Sequence, residues 1–278
     1  MRKKYIYSSR HTRTAKLGTK KHKPKFPKLL QETIKKSDII LEILDARFIN
    51  ETRNKEIEKE IKQNNKIQIF VINKSDLIDI NKTKREIELN QIEPHIFISA
   101  KSKKSISKLR EKIKILSKKI RKLGKIQIGV IGYPNTGKSS IINVLIGKHS
   151  TKTSSQSGHT KGIQHLKLSQ NIQIIDTPGV IPESEYSTTQ KQKLQMHAKF
   201  SARDYSKVKD PELLVNYLME DYHEKLEKFY KIQTNNNSET LIEKLGRKLN
   251  LLKKGDQVDT DRTARKILKD WQEGKIWF

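Results

Sequence analysis

Cysteine is absent from all 278 residues, which excludes disulfide frameworks, thiolate-bound zinc, iron–sulfur clusters and cysteine nucleophiles. Long apolar runs are absent too. Ile39–Leu44 and Ile126–Ile131 stop far short of the roughly 18 residues that a membrane-spanning helix needs, so no membrane span is expected. Acid is scarce: 31 Asp and Glu stand against 59 Lys and Arg, a formal net charge of +28. That imbalance favours contact with a polyanion such as RNA or DNA, with an anionic membrane surface as the rival partner. The N-terminus is basic without an apolar core behind it, and a cytoplasmic, monomeric protein is expected. The length accommodates one large and one smaller domain.

Met1–Lys28 carries eleven Lys and Arg and no acid, so compaction would make it repel itself. It reads as a basic arm, residues 1–28, suited to phosphates through counterion release. Beyond it, short β-rich runs (Ile39–Leu44, Lys66–Ile72, His95–Ile98, Lys125–Ile131, Gln164–Leu168, Ile172–Ile175) alternate with helical patterns at Asn54–Asn64, Lys82–Asn90, Ser105–Leu123 and Gly137–Gly147. Continuous rather than alternating apolar strands imply a mostly parallel sheet covered on both faces, an α/β domain over residues 29–200. Strand signals then end. Asp210-Pro211-Glu212 is an N-cap with proline at the first helical position, and it opens a smaller all-helical domain, residues 201–278. Near the end, Ala264, Ile267, Leu268 and Trp271 line one helical face, while Arg262, Arg265, Lys266 and Lys269 line the opposite one. The basic face is a candidate nucleic-acid surface, and a solvated back to a core-packed helix is the other reading of it.

Gly132-Tyr-Pro-Asn-Thr-Gly137-Lys138-Ser139 fits G-x-x-x-x-G-K-[ST] between a strand and a helix. Such a loop turns its backbone N–H groups toward phosphate oxygens, with Pro134, Asn135, Thr136, Gly137 and Lys138 lining it and Ser139 and Ser140 opening the helix. Lys138 would hold the β- and γ-phosphates and the Ser139 hydroxyl would ligate Mg²⁺. Asp176-Thr-Pro-Gly179 follows the strand Ile172–Ile175, which suits Asp176 to work on Mg²⁺ and the Gly179 N–H to a γ-phosphate. Asn73-Lys74-Ser75-Asp76 and Ser99-Ala100-Lys101 each follow a strand on the same sheet edge. A carboxylate at Asp76 can accept from guanine's N1–H and exocyclic amine together, whereas adenine offers no such donor pair. Asn73 would tie this loop to the phosphate loop, Lys74 would lie along the base plane, and the Ala100 N–H would meet the guanine carbonyl oxygen. Thr160, on the Ser/Thr-rich stretch between Gly147 and Gly162, is the choice for closing on Mg²⁺ when a γ-phosphate is present. Thr151 and Thr153 are the alternatives.

In this order the motifs resemble those of Ras-like GTPases rotated, with N-K-S-D and S-A-K ahead of G-Y-P-N-T-G-K-S, Thr160 and D-T-P-G. The chain resembles the circularly permuted YlqF/YawG-type GTPases, which assist large-ribosomal-subunit assembly. Leu44-Asp45-Ala46-Arg47 matches that family's D-A-R signature, though the proline usually following it is absent, and Asp261–Lys275 resembles the end of its C-terminal helical domain. The resemblance implies a GTPase binding GTP and GDP, with ribosomal RNA of the large subunit as partner. Alternatives are a GTP-dependent factor on another RNA, and an RNA-binding assembly protein with a largely structural GTP site. Ras-like enzymes orient water with a glutamine after D-x-x-G, but this chain has Val180 and Ile181, so slow intrinsic turnover is expected. By resemblance, Asn135 would help coordinate K⁺, and an N-terminal histidine would orient water. His22 fits that role by spacing, but its neighbours Lys21 and Lys23 depart from the family's Gly-His-Met setting; His159 is the other candidate, and an ordinary tail histidine is an equal reading.

Overall fold

The computed structural model describes residues 26–89, 91–147, 164–177, 199 and 205–276. Six strands form one sheet: β1 (Ile39–Asp45), β2 (Ile67–Asn73), β3 (His95–Phe97), β4 (Ile126–Gly132), β5 (Gln164–Ser169) and β6 (Ile172–Asp176). Their order is β3-β2-β1-β4-β6-β5, parallel throughout except for the β5–β6 hairpin. The chain supplies α1 (Phe26–Lys36), α2 (Ile49–Thr52), α3 (Lys55–Gln63), α4 (Ile80–Leu89), α5 (Ile106–Lys119) and α6 (Lys138–Ile146) around it. Helix α1 is an addition to the sequence reading, and it starts inside the segment read as an arm.

β1 shows why its sequence is apolar at every position but two. Ile39, Leu41 and Ile43 pack on one face with Leu109 and Ile113 of α5 and with Ile141 and Leu145 of α6. Ile40 faces the other way, toward Leu30, Ile34, Ile57 and Ile61 from α1 and α3. With period-2 side chains, a strand covered on both sides has no solvent face to make polar. Each such side chain contributes about 1.5–3 kcal/mol by leaving water.

The exception inside β1 is Glu42, 1% exposed, whose carboxyl oxygens accept from Asn54 N–H (3.0 Å) and the Gln68 amide (2.6 Å). Burial and the nearby charge of Glu58 push its pKa up to about 8, although the Asn54 N–H opposes them. Asn54 also caps α3 by accepting from Ile57 N–H, so this acid anchors the start of that helix.

The C-terminal unit comprises α7 (Pro211–Tyr230), α8 (Ser238–Lys248), a hairpin of β7 (Leu252–Lys253) with β8 (Gln257–Val258), and α9 (Thr260–Gln272). Asp210, Asn237 and Asp259 cap the three helices, each accepting a backbone N–H three residues on. Ala264, Ile267, Leu268 and Trp271 are all buried. On the opposite, basic face of α9, Arg262 is exposed while the other three cations have internal partners: Arg265 binds Asp261 and the carbonyls of Tyr205 (2.7 Å) and Val208 (3.1 Å). Lys266 pairs with Asp270, and Lys269 with Glu273. No described helix is long and apolar enough to cross a membrane.

This unit shares its core with the α/β domain. Phe48 and Tyr133 belong to the same buried cluster as Leu218, Ile267 and Trp271. Between them the buried Arg47 guanidinium donates to the Trp271 carbonyl (3.1 Å) while gripping Asp45 through Nε (3.0 Å) and Nη2 (2.8 Å). Gly274 packs against Leu77, where an added Cβ would approach a leucine methyl to 2.5 Å.

Two outcomes follow from these buried charges. Glu42 keeps, in the folded protein, a proton that the unfolded chain releases near pH 4.5. Its contribution to stability is therefore full below that pH and declines as pH rises through the folded value near 8. Urea unfolding of wild type and Glu42→Gln at pH 5 and pH 8 should show the balance tilting toward the variant at the higher pH. Arg47→Lys keeps a cation beside Asp45 but cannot reach the carboxylate in two places and the Trp271 carbonyl together, so a loss of about 1–3 kcal/mol is expected in the same assay.

Candidate functional site

β4 runs into the loop Gly132–Gly137, which enters α6. Gly132 has φ +149° and an added Cβ would sit 2.5 Å from the Ile43 carbonyl oxygen; Gly137 has φ +96° and its Cβ would sit 2.2 Å from Asn73 Nδ2. Only residues without side chains let β1 and the Asn73 amide approach this closely. Within the loop, Thr136 donates its hydroxyl to the Tyr133 carbonyl (2.9 Å). The buried Lys138 ammonium donates to the carbonyls of Gly132 (3.1 Å) and Tyr133 (2.8 Å). Burial pushes its pKa down to about 8, against the pull of Asp176, itself buried at the end of β6. A buried cation whose described hydrogen-bond acceptors are neutral carbonyls is well matched to an incoming anion. Pro134, Asn135, Ser139 and Ser140 are half-buried around it.

The second half of the site comes from the ends of β2 and β3. Asn73 is buried, and its side chain reaches both ways: Nδ2 donates to the Thr136 carbonyl (2.8 Å) and Oδ1 accepts from the Ala100 N–H (3.2 Å). One carboxamide thus binds the phosphate-type loop to the loop after β3. Ser99 is fully buried, and its hydroxyl accepts from the Ser102 N–H (3.1 Å), tightening the turn around Ala100 and the exposed Lys101. Asp76 is half-buried in the 3₁₀ turn Ser75–Leu77, and no described residue hydrogen-bonds its carboxylate. An acceptor-only group placed so suits a ligand that brings two N–H donors.

Asp45, at the end of β1, organises this half. Burial disfavours its charge, but Arg47 and then Lys74 outweigh burial and hold the carboxyl well below the usual range. The Lys74 ammonium lies 2.7 Å from Asp45 Oδ2, and the Lys74 backbone is left-handed at φ +62°. The sequence reading laid Lys74 along a base plane and aimed the Ala100 N–H at a base oxygen. In the structure a buried carboxylate takes the ammonium, and Asn73 takes the N–H. Asp45, Arg47 and Tyr133 were not foreseen as parts of the site. The usable signal was an acid and an arginine two residues apart at the end of an otherwise apolar strand, a pattern that asks for a buried pair.

The loops of Asn73–Asp76, Ser99–Lys101, Gly132–Ser140 and Asp176 therefore gather at one edge of the sheet. His22, Thr160 and Gly179, and with them His159, Thr151 and Thr153, lie outside the described residues.

Known proteins are similar to this chain in sequence and in fold. The family model described as 50S ribosome-binding GTPase matches residues 127–245. An uncharacterized GTP-binding protein of Methanocaldococcus jannaschii is 36% identical over 261 residues, covering 90% of this chain and 65% of the relative. Nucleolar GTP-binding protein 2 of Pneumocystis carinii is 34% identical and shares 90% of this chain and 52% of its own length. The chain thus spans 65% of the archaeal relative and about half of the fungal one. In fold, it is similar to YlqF from T. maritima bound to GNP, with a TM-score of 0.64, 23% identity, and coverage of 91% of this chain and 95% of that one. With the loops that follow β2 and β3 preceding the phosphate loop in sequence yet meeting it at one sheet edge, the chain has the P-loop GTPase fold seen in YlqF.

Proposed function

We propose that the chain binds and hydrolyses GTP, and that the nucleotide state governs its association with ribosomal RNA of the large subunit. The observation that carries the nucleotide half is the Asn73 carboxamide, joined to the Thr136 carbonyl on one side and to the Ala100 N–H on the other. It holds a phosphate-type loop and a guanine-type loop in one rigid relation. The Asp76 carboxylate accepts from guanine's N1–H and exocyclic amine. The guanine carbonyl oxygen is met by the Ala100 N–H shared with Asn73, or by the neighbouring Lys101 N–H. Lys138 receives the β- and γ-phosphates, giving up its carbonyl partners for a full negative charge. Ser139 and Asp176, with Thr160 on the loop beyond, would hold Mg²⁺, and Asn135 would take part in holding K⁺; such cations neutralise charge that develops on the transferred phosphoryl group. His22 is the candidate for orienting water, since Val180 and Ile181 offer no hydrogen bond.

The RNA half draws on the +28 net charge and on the nucleolar names of the relatives. Coupling between the halves has a physical route. Tyr133 of the phosphate loop and Leu77 of the guanine loop both pack against the C-terminal unit, so a nucleotide that tightens either loop bears on that unit's seating.

Two measurements test these roles. Bound phosphate raises the pKa of Lys138 above its free value of about 8, so both states are protonated below pH 8 and binding takes up a proton above it. GDP affinity should hold steady from pH 6.5 to 7.5 and then fall up to about tenfold per pH unit, with proton uptake visible in calorimetry across buffers of different ionisation heat. GTP hydrolysis compared in KCl and NaCl, with and without large subunits, should be slow alone and stimulated by subunits and by K⁺. Asp76→Asn should relax the preference for guanine over other bases by roughly 10²-fold or more. Failure to bind GTP or GDP at all would overturn the nucleotide reading, and absence of subunit stimulation the ribosomal one.

A further inference from the structure

Residues 101–125 hold twelve Lys and Arg and a single acid, Glu111. They form the loop after Ser99-Ala100, helix α5 and the connection to β4. Lys108, Lys114, Lys118, Lys119, Arg121 and Lys125 are exposed, and none of them forms an ion pair with a described residue. Among the described residues, the cations of the stretch whose side chains have partners are Arg110, on the carbonyls of Leu145 (2.7 Å) and Val144 (2.8 Å), and Lys122, on Asp38 (2.9 Å). This is the reverse of α9, where Arg265, Lys266 and Lys269 all have acidic partners on their own helix. Cations set side by side without counter-charges repel one another, and a polyanion is the ligand that turns that repulsion into binding.

The chemistry of the face narrows the class of partner. The apolar stripe of α5, Ile106, Leu109 and Ile113, is already buried in the core; the exposed apolar side chains of the stretch, Ile115 and Leu123, stand singly among cations and do not make a continuous apolar face to lay into a lipid interface. No aromatic residue occurs between Phe97 and Tyr133. The face therefore has neither the ring anchors of a membrane belt nor the stacking platforms that hold unpaired bases. What it has is point charges along about 21 Å of straight helix, extended at both ends by basic loops. That suits rows of phosphates on a stiff duplex.

We propose that α5 with its flanking loops, residues 101–105 and 120–125, is a docking face for double-stranded RNA. The proposal rests on the RNA reading given above and specifies which surface does the binding. The face is joined to the nucleotide site at two points near its start: its first loop continues directly from Ser99-Ala100, and Arg110, in the first turns of α5, caps the last carbonyls of α6, the helix that opens at Lys138.

The test uses the full chain and a duplex RNA of about 20 base pairs, with the single strand of the same sequence and vesicles rich in anionic lipid as competing probes. The variant carries Lys114→Glu, Lys118→Glu, Lys119→Glu and Arg121→Glu. A charge-matched control carries Lys59→Glu, Lys62→Glu, Lys82→Glu and Lys84→Glu on exposed positions of α3 and α4. GDP affinity and thermal unfolding of all three proteins establish that the fold is intact. The expected result is at least about a tenfold loss of duplex affinity in the α5 variant beyond that in the control, and a slope of log Kd against log salt reduced by about 3. Equal losses in the two variants would overturn the α5 face while leaving RNA binding standing. Preference for the single strand or for vesicles would overturn the choice of partner, and a wild-type protein with no RNA affinity would overturn the RNA reading together with it.

Discussion

A single buried carboxylate, Asp45, is the interaction on which both halves of the molecule depend. It ends the central strand, takes two bonds from the Arg47 guanidinium, one from the Arg47 backbone N–H and one from Lys74, and through Arg47 reaches the carbonyl of Trp271 in the C-terminal unit. Two cations are needed because burial alone would push the carboxyl toward neutrality. Removing either one would leave charge stranded in the interior, a cost of about 3–5 kcal/mol. The backbone after β2, including the left-handed Lys74 and the turn that carries Asp76, is shaped around this group. Its surroundings add rings: the Arg47 guanidinium lies over Phe48 (5.2 Å) and Trp271 (5.9 Å), favourable contacts that also exclude water.

Much of the α/β domain was legible because its strands are buried on both faces and so read as unbroken apolar runs. Strand ends were legible to within a residue for the same reason: Asp45, Asn73 and Asp176, each the final residue of its strand, are the first polar groups after such runs. The phosphate loop was legible through Gly132 and Gly137, where sterics leave no alternative to glycine. Less legible was everything set by contacts distant in sequence. Nothing local marks Tyr133 and Phe48 as members of a core made mainly of residues beyond Val208. The β7–β8 hairpin, with two residues to each strand, falls below the length at which periodicity is informative. Side-chain partners were hidden in the same way: period-3.6 reasoning found the basic stripe of α9 but not the acids Asp261, Asp270 and Glu273 that pair with Arg265, Lys266 and Lys269.

Permutation changes how such a molecule can transmit force. The D-T-P-G segment leads covalently toward the C-terminal helices, which suggests a linear route from phosphate to effector domain. The packing supplies shorter routes. Tyr133 sits inside the shared core, Leu77 lies under Gly274, and Arg47 bonds Trp271. Three separate loops of the nucleotide edge touch the C-terminal unit directly, and close-packed contacts of this kind transmit small displacements because neither side can yield by leaving a void.

The contact between Leu77 and Gly274 also has a temporal meaning. A chain made from its N-terminus produces the turn that carries Asp76 well before the glycine that roofs it, and β1 waits for β4 before its second edge is paired. Contacts this far apart in sequence form slowly, because a long loop must close before any energy returns. A nascent chain therefore exposes an unpaired edge of β1 until β4 is made, and an open turn until Gly274 is made. A product that stops short of Gly274 would leave the turn that carries Asp76 without its roof.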